Sequence, residues 1–159
     1  MAEWYVRNVA DNEWWVNEKF GPRSFLVPEE SQVGVRVHVL EPGKPSTLYH
    51  RERGQEGFLV IEGECLLLVE GEERTLRQWD YFHCPPGTTH SFVGAGDGPC
   101  VVVTLGLRGG SIVYARDEMA LQHEAGVEEE TDSPDVAYAP FPKWEGGRSR
   151  SRDELPWNR

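Results

Sequence analysis

Cysteine is scarce in this sequence, and positive charge is outnumbered. The three thiols, Cys65, Cys84 and Cys100, are scattered and show no CxxC spacing. That argues against a disulfide framework and suits a reducing compartment. Sixteen Lys and Arg stand against 27 Asp and Glu, giving a formal charge of −11. A nucleic-acid face needs a basic patch, and the only basic run, Arg148, Arg150, Arg152 and Arg159, sits beside Asp153 and Glu154. No nucleic-acid partner is expected. A basic-then-apolar opening and a long apolar run are also missing, so neither a signal peptide nor a membrane span is expected, and a cytoplasmic location is. Internal repeats are absent too.

What is there is enough chain for one well-cored domain, 159 residues. Short apolar runs punctuated by Gly and Pro point to an all-β sandwich or barrel. Val33, Val35, Val37 and Val39 alternate with Gln32, Gly34, Arg36 and His38, as in a half-buried strand. Arg36 and His38 on the other face either meet solvent or line a cavity. From Glu64 to Val69 the chain is apolar on both faces, with Cys65, Leu67 and Val69 opposite Leu66 and Leu68. Such a strand needs cover on both sides, from an outer layer or from a partner sheet. Glu70-Gly71-Glu72 reads as a hairpin turn, and Gly94-Ala95-Gly96 reads as another.

Two stretches carry the chemistry. In the first, PGKPSTLYHRERGQEGFLVIEG (42–63), His50 and Glu52 are two residues apart and share a strand face. Glu56 follows the Gly54 turn signal, on a strand expected to run back antiparallel and aim it inward. In the second, WDYFHCPPGTTHSF (79–92), a Pro85-Pro86-Gly87 turn precedes His90, which shares a face with Phe92. Two imidazoles and two carboxylates converging on one cavity would suit a divalent metal with mixed nitrogen and oxygen ligands. Tyr49 alternates away from such a site. Cys84 reads as a small buried hydrophobe rather than a ligand, and His123 as a surface residue.

Together these stretches resemble the two signature motifs of the cupin superfamily. Gly43, His50, Glu52, Glu56 and Gly63 fill the places of the first motif, and Trp79, Pro85, Gly87 and His90 those of the second. Glu52 stands where a second histidine is usual, which leaves the metal's identity open. Trp79 replaces a glycine, which affects only a turn. The resemblance implies a cupin double-stranded β-helix, a jelly-roll-like barrel. It would be a single domain over 1–159, with the barrel at about 30–115. An N-terminal arm (1–30) and a short helix with an extended tail (116–159) would flank it. The helix is expected from Asp117 to about Ala125, with Gly126 as its cap. Trp4, Trp14 and Trp15 in the arm pack either on the chain's own barrel or on a second subunit.

The implied function is a metal-binding cupin that uses one divalent ion (Fe, Mn, Zn or Ni) on a small molecule. His50, Glu52, Glu56 and His90 are the candidate ligands, and Glu52 doubles as candidate catalytic base. With one glutamate outside the coordination sphere, two histidines and one carboxylate remain, the set used by non-heme iron oxygenases. Dioxygenase-like chemistry therefore leads. The alternatives are a sugar isomerase or epimerase, and a non-enzymatic protein that binds a metal or small ligand. A homodimer is expected from the tryptophan-rich arm and the two-faced strand.

Overall fold

The computed structural model describes residues 3–148. The N-terminal segment makes a 3-10 turn (Val9–Asp11), β1 (Trp14–Val16) and β2 (Arg23–Phe25). The valine alternation becomes β3 (Val33–Leu40), and the first motif is divided between β4 (His50–Glu52) and β5 (Glu56–Glu62). Then follow β6 (Glu64–Val69), β7 (Glu72–Arg77), β8 (Tyr81–Cys84), β9 (His90–Ala95), β10 (Cys100–Leu107) and β11 (Ile112–Tyr114). Two short helices, α1 (Glu118–Gln122) and α2 (Pro134–Tyr138), precede β12 (Glu145–Arg148).

The strands form two facing sheets. One has the order β12-β1-β2-β3-β10-β5-β8 and the other β11-β4-β9-β6-β7. Every ladder between named strands is antiparallel. This is the expected all-β jelly roll. Between the sheets lie Leu40, Phe58, Val60, Leu67, Phe92 and Val102, all buried. Burial of this apolar surface is the main stabilising term in such a fold.

Both sheets are also covered outside, and this changes the reading of β3. Its valines Val37 and Val39 face outward with Val101, under Trp14 of the arm. Trp14 is fully buried, and its indole N–H donates to the Val9 carbonyl at 3.2 Å. Arg36 and His38 accordingly point inward, and β3 is buried on both faces over its second half. On the far side, Leu66 and Leu68 pack with Tyr49 and Val93 beneath Ala120 and Ala125. Of the two expected covers, an outer layer or a partner sheet, β6 has the outer layer, supplied by α1 and the turn after it within the same chain.

Several local expectations are corrected. β4 and β5 do not pair, because they belong to opposite sheets. The Gly94-Ala95-Gly96 stretch is no hairpin either: β9 pairs with β4 and β6, whereas β10 lies in the facing sheet, so the chain crosses over. Helix α1 is capped by the Asp117 side chain, which accepts from the Ala120 N–H at 2.9 Å. It stops at Gln122, and the left-handed residue is Glu124, not Gly126. Gly126 is needed for closeness instead, since a Cβ there would lie 2.8 Å from the Leu121 backbone nitrogen. The proline-rich tail is not simply extended. Ser133 and Pro134 start α2, after which Tyr138, Phe141 and Trp144 close around Phe20 at centroid distances of 5.3, 5.6 and 6.1 Å. The rest of the tail, with Arg150, Arg152 and Arg159, lies outside the described residues.

Trp79 keeps the turn that a glycine would make, with φ at +73°, and leaves its ring 69% exposed. A left-handed conformation costs a residue with a Cβ about 1 kcal/mol or more, and nothing buried compensates here. Trp79→Gly should therefore stabilise the fold by about 1 kcal/mol, read from the midpoint of urea unfolding. An unchanged or lower midpoint would show that the indole contributes more than the strain removes.

Candidate metal centre

The two motifs meet at one end of the space between the sheets. His50 on β4 and His90 on β9 are direct cross-strand partners, with ring centroids 5.0 Å apart. Glu56 opens β5 in the facing sheet, opposite Gly106. Gly106 makes room for it: a Cβ there would sit 3.3 Å from the Glu56 Cγ. One ligand atom from each of His50, Glu56 and His90 falls within 4.8 Å of the others, and all three residues are buried. The Pro85-Pro86-Gly87 turn that delivers His90 is tied to β4 by the Gly87 N–H donating to the Glu52 carbonyl at 2.8 Å. Gly87 has φ at +81°, a conformation that glycine adopts without strain.

Hydrogen bonding fixes which nitrogens face the centre. His50 Nδ1 lies 2.6 Å from the Leu48 carbonyl, and His90 Nδ1 lies 3.0 Å from the Thr88 carbonyl. A carbonyl only accepts, so in the neutral rings each Nδ1 carries the proton and each Nε2 presents a lone pair. His90 Nε2 stands 3.3 Å from Glu56 Oε2, and His50 Nε2 stands 3.5 Å from Glu52 Oε1. Glu56 Oε2 is buried without a hydrogen-bond partner. Lone pairs meeting at such distances need a positive charge between them, either a proton or a cation. The residues present therefore fit a metal ion, in the manner of histidine ligands oriented through their second nitrogen.

The surroundings keep the charges in place. Phe58, Phe82 and Phe92 ring His90 at 5.1, 6.0 and 6.1 Å. Burial in this box, with His50 next, lowers His90 to about 3. Burial, then the charge of Glu52, raises Glu56 to about 7, although Arg36 lies 3.8 Å away. Burial also pushes the Glu52 carboxyl up, but His50, Arg36 and His90 outweigh it and hold the group below its ordinary range. Glu52 is thus the ionised carboxylate of the pair, half-exposed and outside the tight three-residue group. Cys84 sits behind His90, with Sγ 3.4 Å from Nδ1 and so on the side away from the ligand nitrogen. Burial, then the nearby glutamates, raises its thiol to about 12, which keeps it protonated.

Of the two readings open for Arg36 and His38, solvent or cavity, the structure takes the cavity. His38 is buried, its Nε2 unpartnered, and burial with Arg36 and Arg23 holds it neutral, well below the usual histidine value. It borders a small void of about 10 Å³ shared with His50, His90 and Thr104, roomy enough for about one water. Two larger chambers open from the site. One, of about 590 Å³, is walled by Trp15, Phe25, Val35, Leu107 and Ile112, with Arg36, Glu52 and Glu56 at its floor. The other, of about 480 Å³, runs from His50 and Glu52 past Arg23 and Tyr114 to Tyr138 and Trp144. Arg36 was legible as the face opposite the valines. Arg23, Trp15 and the tail aromatics carried no periodic signal, because other elements place them. Tyr49 points away from the site, and His123 bonds Glu73 at 2.6 Å on the surface, both as expected.

Comparison with known proteins agrees with this layout. Residues 36–106 match the family model described as a cupin domain. No curated protein matches. Among solved structures, a sugar phosphate isomerase of the cupin superfamily from Silicibacter pomeroyi is 24% identical, with TM-score 0.52, over 84% of this chain and 79% of that one. The polyketide cyclase RemF from Streptomyces resistomycificus is 14% identical, with TM-score 0.59, over 68% and 82%. A structure from Acidithiobacillus ferrooxidans (24% identical, TM-score 0.52) covers 58% of this chain, which spans only 63% of its length. At these identities the likeness concerns the fold. No helix among the described residues is long and apolar enough to cross a membrane.

The raised Glu56 carboxyl gives the centre a pH signature. Below about 7 that group holds a proton which a cation must displace, so metal binding releases it. Apparent affinity should fall by up to about tenfold per pH unit below 7 and level off above, as measured by competition with a chelator between pH 6 and 8. A flat profile would mean that Glu56 is not a ligand.

Proposed function

From the match of residues 36–106 to the cupin-domain model, we propose that the chain is a cupin and a small-molecule enzyme built on one divalent metal ion, with dioxygenase-type chemistry as the leading class. The observation that carries this reading is the orphaned Glu56 oxygen facing the lone pairs of His50 and His90 in a buried site backed by aromatic rings. Two histidines and one carboxylate are the facial set of non-heme iron oxygenases, which leaves positions open for reactants. Iron or manganese suits such oxygen-rich donors, and zinc and nickel remain candidates. When bound, the ion supplies Lewis acidity or oxygen activation.

The chain's own residues account for the rest. The rings of His50 and His90 are locked by Leu48 and Thr88, so their ligand nitrogens need no reorganisation. Phe58, Phe82 and Phe92 keep water from behind the centre. Glu52, ionised and reaching both chambers, is placed to take a proton from a substrate beside His50. That same feature favours a second reading, a sugar isomerase or epimerase type, in which proton transfer at Glu52 is the whole reaction. Oxygen consumption separates the two, since only the first reading uses it.

Purified protein supplemented with Fe, Mn, Ni or Zn should retain about one metal per chain. It should then consume oxygen with some member of a panel of catechols, diketones and hydroxy acids. Glu52→Gln should keep the metal but lower kcat about 100-fold or more. In contrast, His90→Ala should lose most of the metal while circular dichroism stays that of a β protein. Undiminished metal in His90→Ala would remove that histidine from the ligand set, and full turnover in Glu52→Gln would remove the base.

A further inference from the structure

The chamber on the tail side carries a cation, Arg23, that no described residue pairs. Arg23 projects from β2, and its guanidinium carbon lies 3.6 Å from the Trp144 ring centroid and 5.1 Å from that of Phe25. Among the described residues no carboxylate pairs with it and nothing accepts a hydrogen bond from it. Its Nε is buried and unpartnered. Arg36, on the neighbouring strand, lines the same chamber, and its one carboxylate contact among the described residues is Glu56 at 3.8 Å. In a chain of net charge −11, carboxylates to neutralise these arginines are plentiful, yet none among the described residues is placed on Arg23. A guanidinium carbon 3.6 Å over an indole ring is in stacking contact, and the planar fork of donors it carries matches carboxylate and phosphate oxygens. Tyr138 adds a hydroxyl, which already accepts from the Leu48 N–H at 3.1 Å and so has its own proton free to donate.

We propose that this chamber is an oxyanion subsite, in which Arg23, with Arg36 beside it, holds the carboxylate or phosphate of a small organic acid whose remainder reaches His50 and Glu52. The substrate of the proposed enzyme is then an acid rather than a neutral molecule. This rests on the reading of the centre as a small-molecule site. The apolar chamber beyond Arg36, walled by Trp15, Phe25 and Val35, takes the part of the molecule that carries no charge. Arg23 is a binding residue in this account. A purely structural Arg23, joining β2 to the tail through Trp144, would affect stability but not the response to anions.

The test uses the full chain, with inorganic phosphate and malonate as separate probes of the two anion classes. Calorimetric titration of the wild type should show saturable binding of at least one. Arg23→Gln should weaken that binding at least tenfold without altering metal content measured on the same samples. The Arg23 Nε–H resonance, assigned by its loss in Arg23→Lys, should shift along the same titration, which reads the contact even if Arg23→Gln folds poorly. Whichever probe binds identifies the class. No binding of either anion, a resonance that stays still, or binding unchanged in Arg23→Gln would overturn the proposal. Metal content is read independently, so a centre without metal would sink the enzyme reading and leave the anion result standing by itself.

Discussion

Everything in this molecule is arranged around an electrostatic deficit. Two imidazole nitrogens and a carboxylate oxygen converge inside a barrel on buried residues, largely withdrawn from solvent. Without a positive charge this arrangement is costly, because buried polar atoms without partners forfeit their hydration. The protein meets the cost in part by holding Glu56 protonated near neutrality and His90 neutral. A bound cation replaces that proton and satisfies all three donors at once. The barrel supplies the rigidity that keeps them converged, since two histidines are fixed on neighbouring strands and the carboxylate comes from the opposite sheet.

The segments outside the barrel turn out to build the approach to this centre. The arm contributes Trp15 and Phe25 to the apolar chamber and Arg23 to the other, and the tail contributes Tyr138 and Trp144 to that second chamber alone. Trp14 and Trp15 divide the work: one closes the outer face of β3 and the other lines the apolar chamber. The acidic surface and the arginine-lined interior are opposite in sign. The negative net charge repels an anion at long range, so any affinity of the chamber for one has to come from local contacts with Arg23 and Arg36.

How much of this was legible beforehand depends on where the information sits. His50, Glu56 and His90 could be read because their spacing is local and the strands carrying them are short and regular. The inward direction of His90 and Phe92 followed from simple alternation. By contrast, Glu56 was expected on a strand returning beside β4, when it crosses to the other sheet, because alternation gives faces and not partners. β3 misled for a related reason. Its valines looked like the core face, but a fully buried tryptophan from the arm covers them, and the polar-looking face of Arg36 and His38 is the one that meets the centre. Nothing local marked Arg23 as important. Its role comes from Trp144, more than a hundred residues away, and only the folded chain brings the two together.

The most direct measurement is anomalous diffraction from crystals of the metal-loaded protein, recorded on both sides of the absorption edge of the ion found by elemental analysis. One peak should lie about 2.0–2.2 Å from Nε2 of His50 and of His90 and at bonding distance from a Glu56 oxygen. A peak elsewhere on the protein, or one reached by His50 or His90 through Nδ1, would contradict the account. So would a fully loaded crystal whose three side chains point apart.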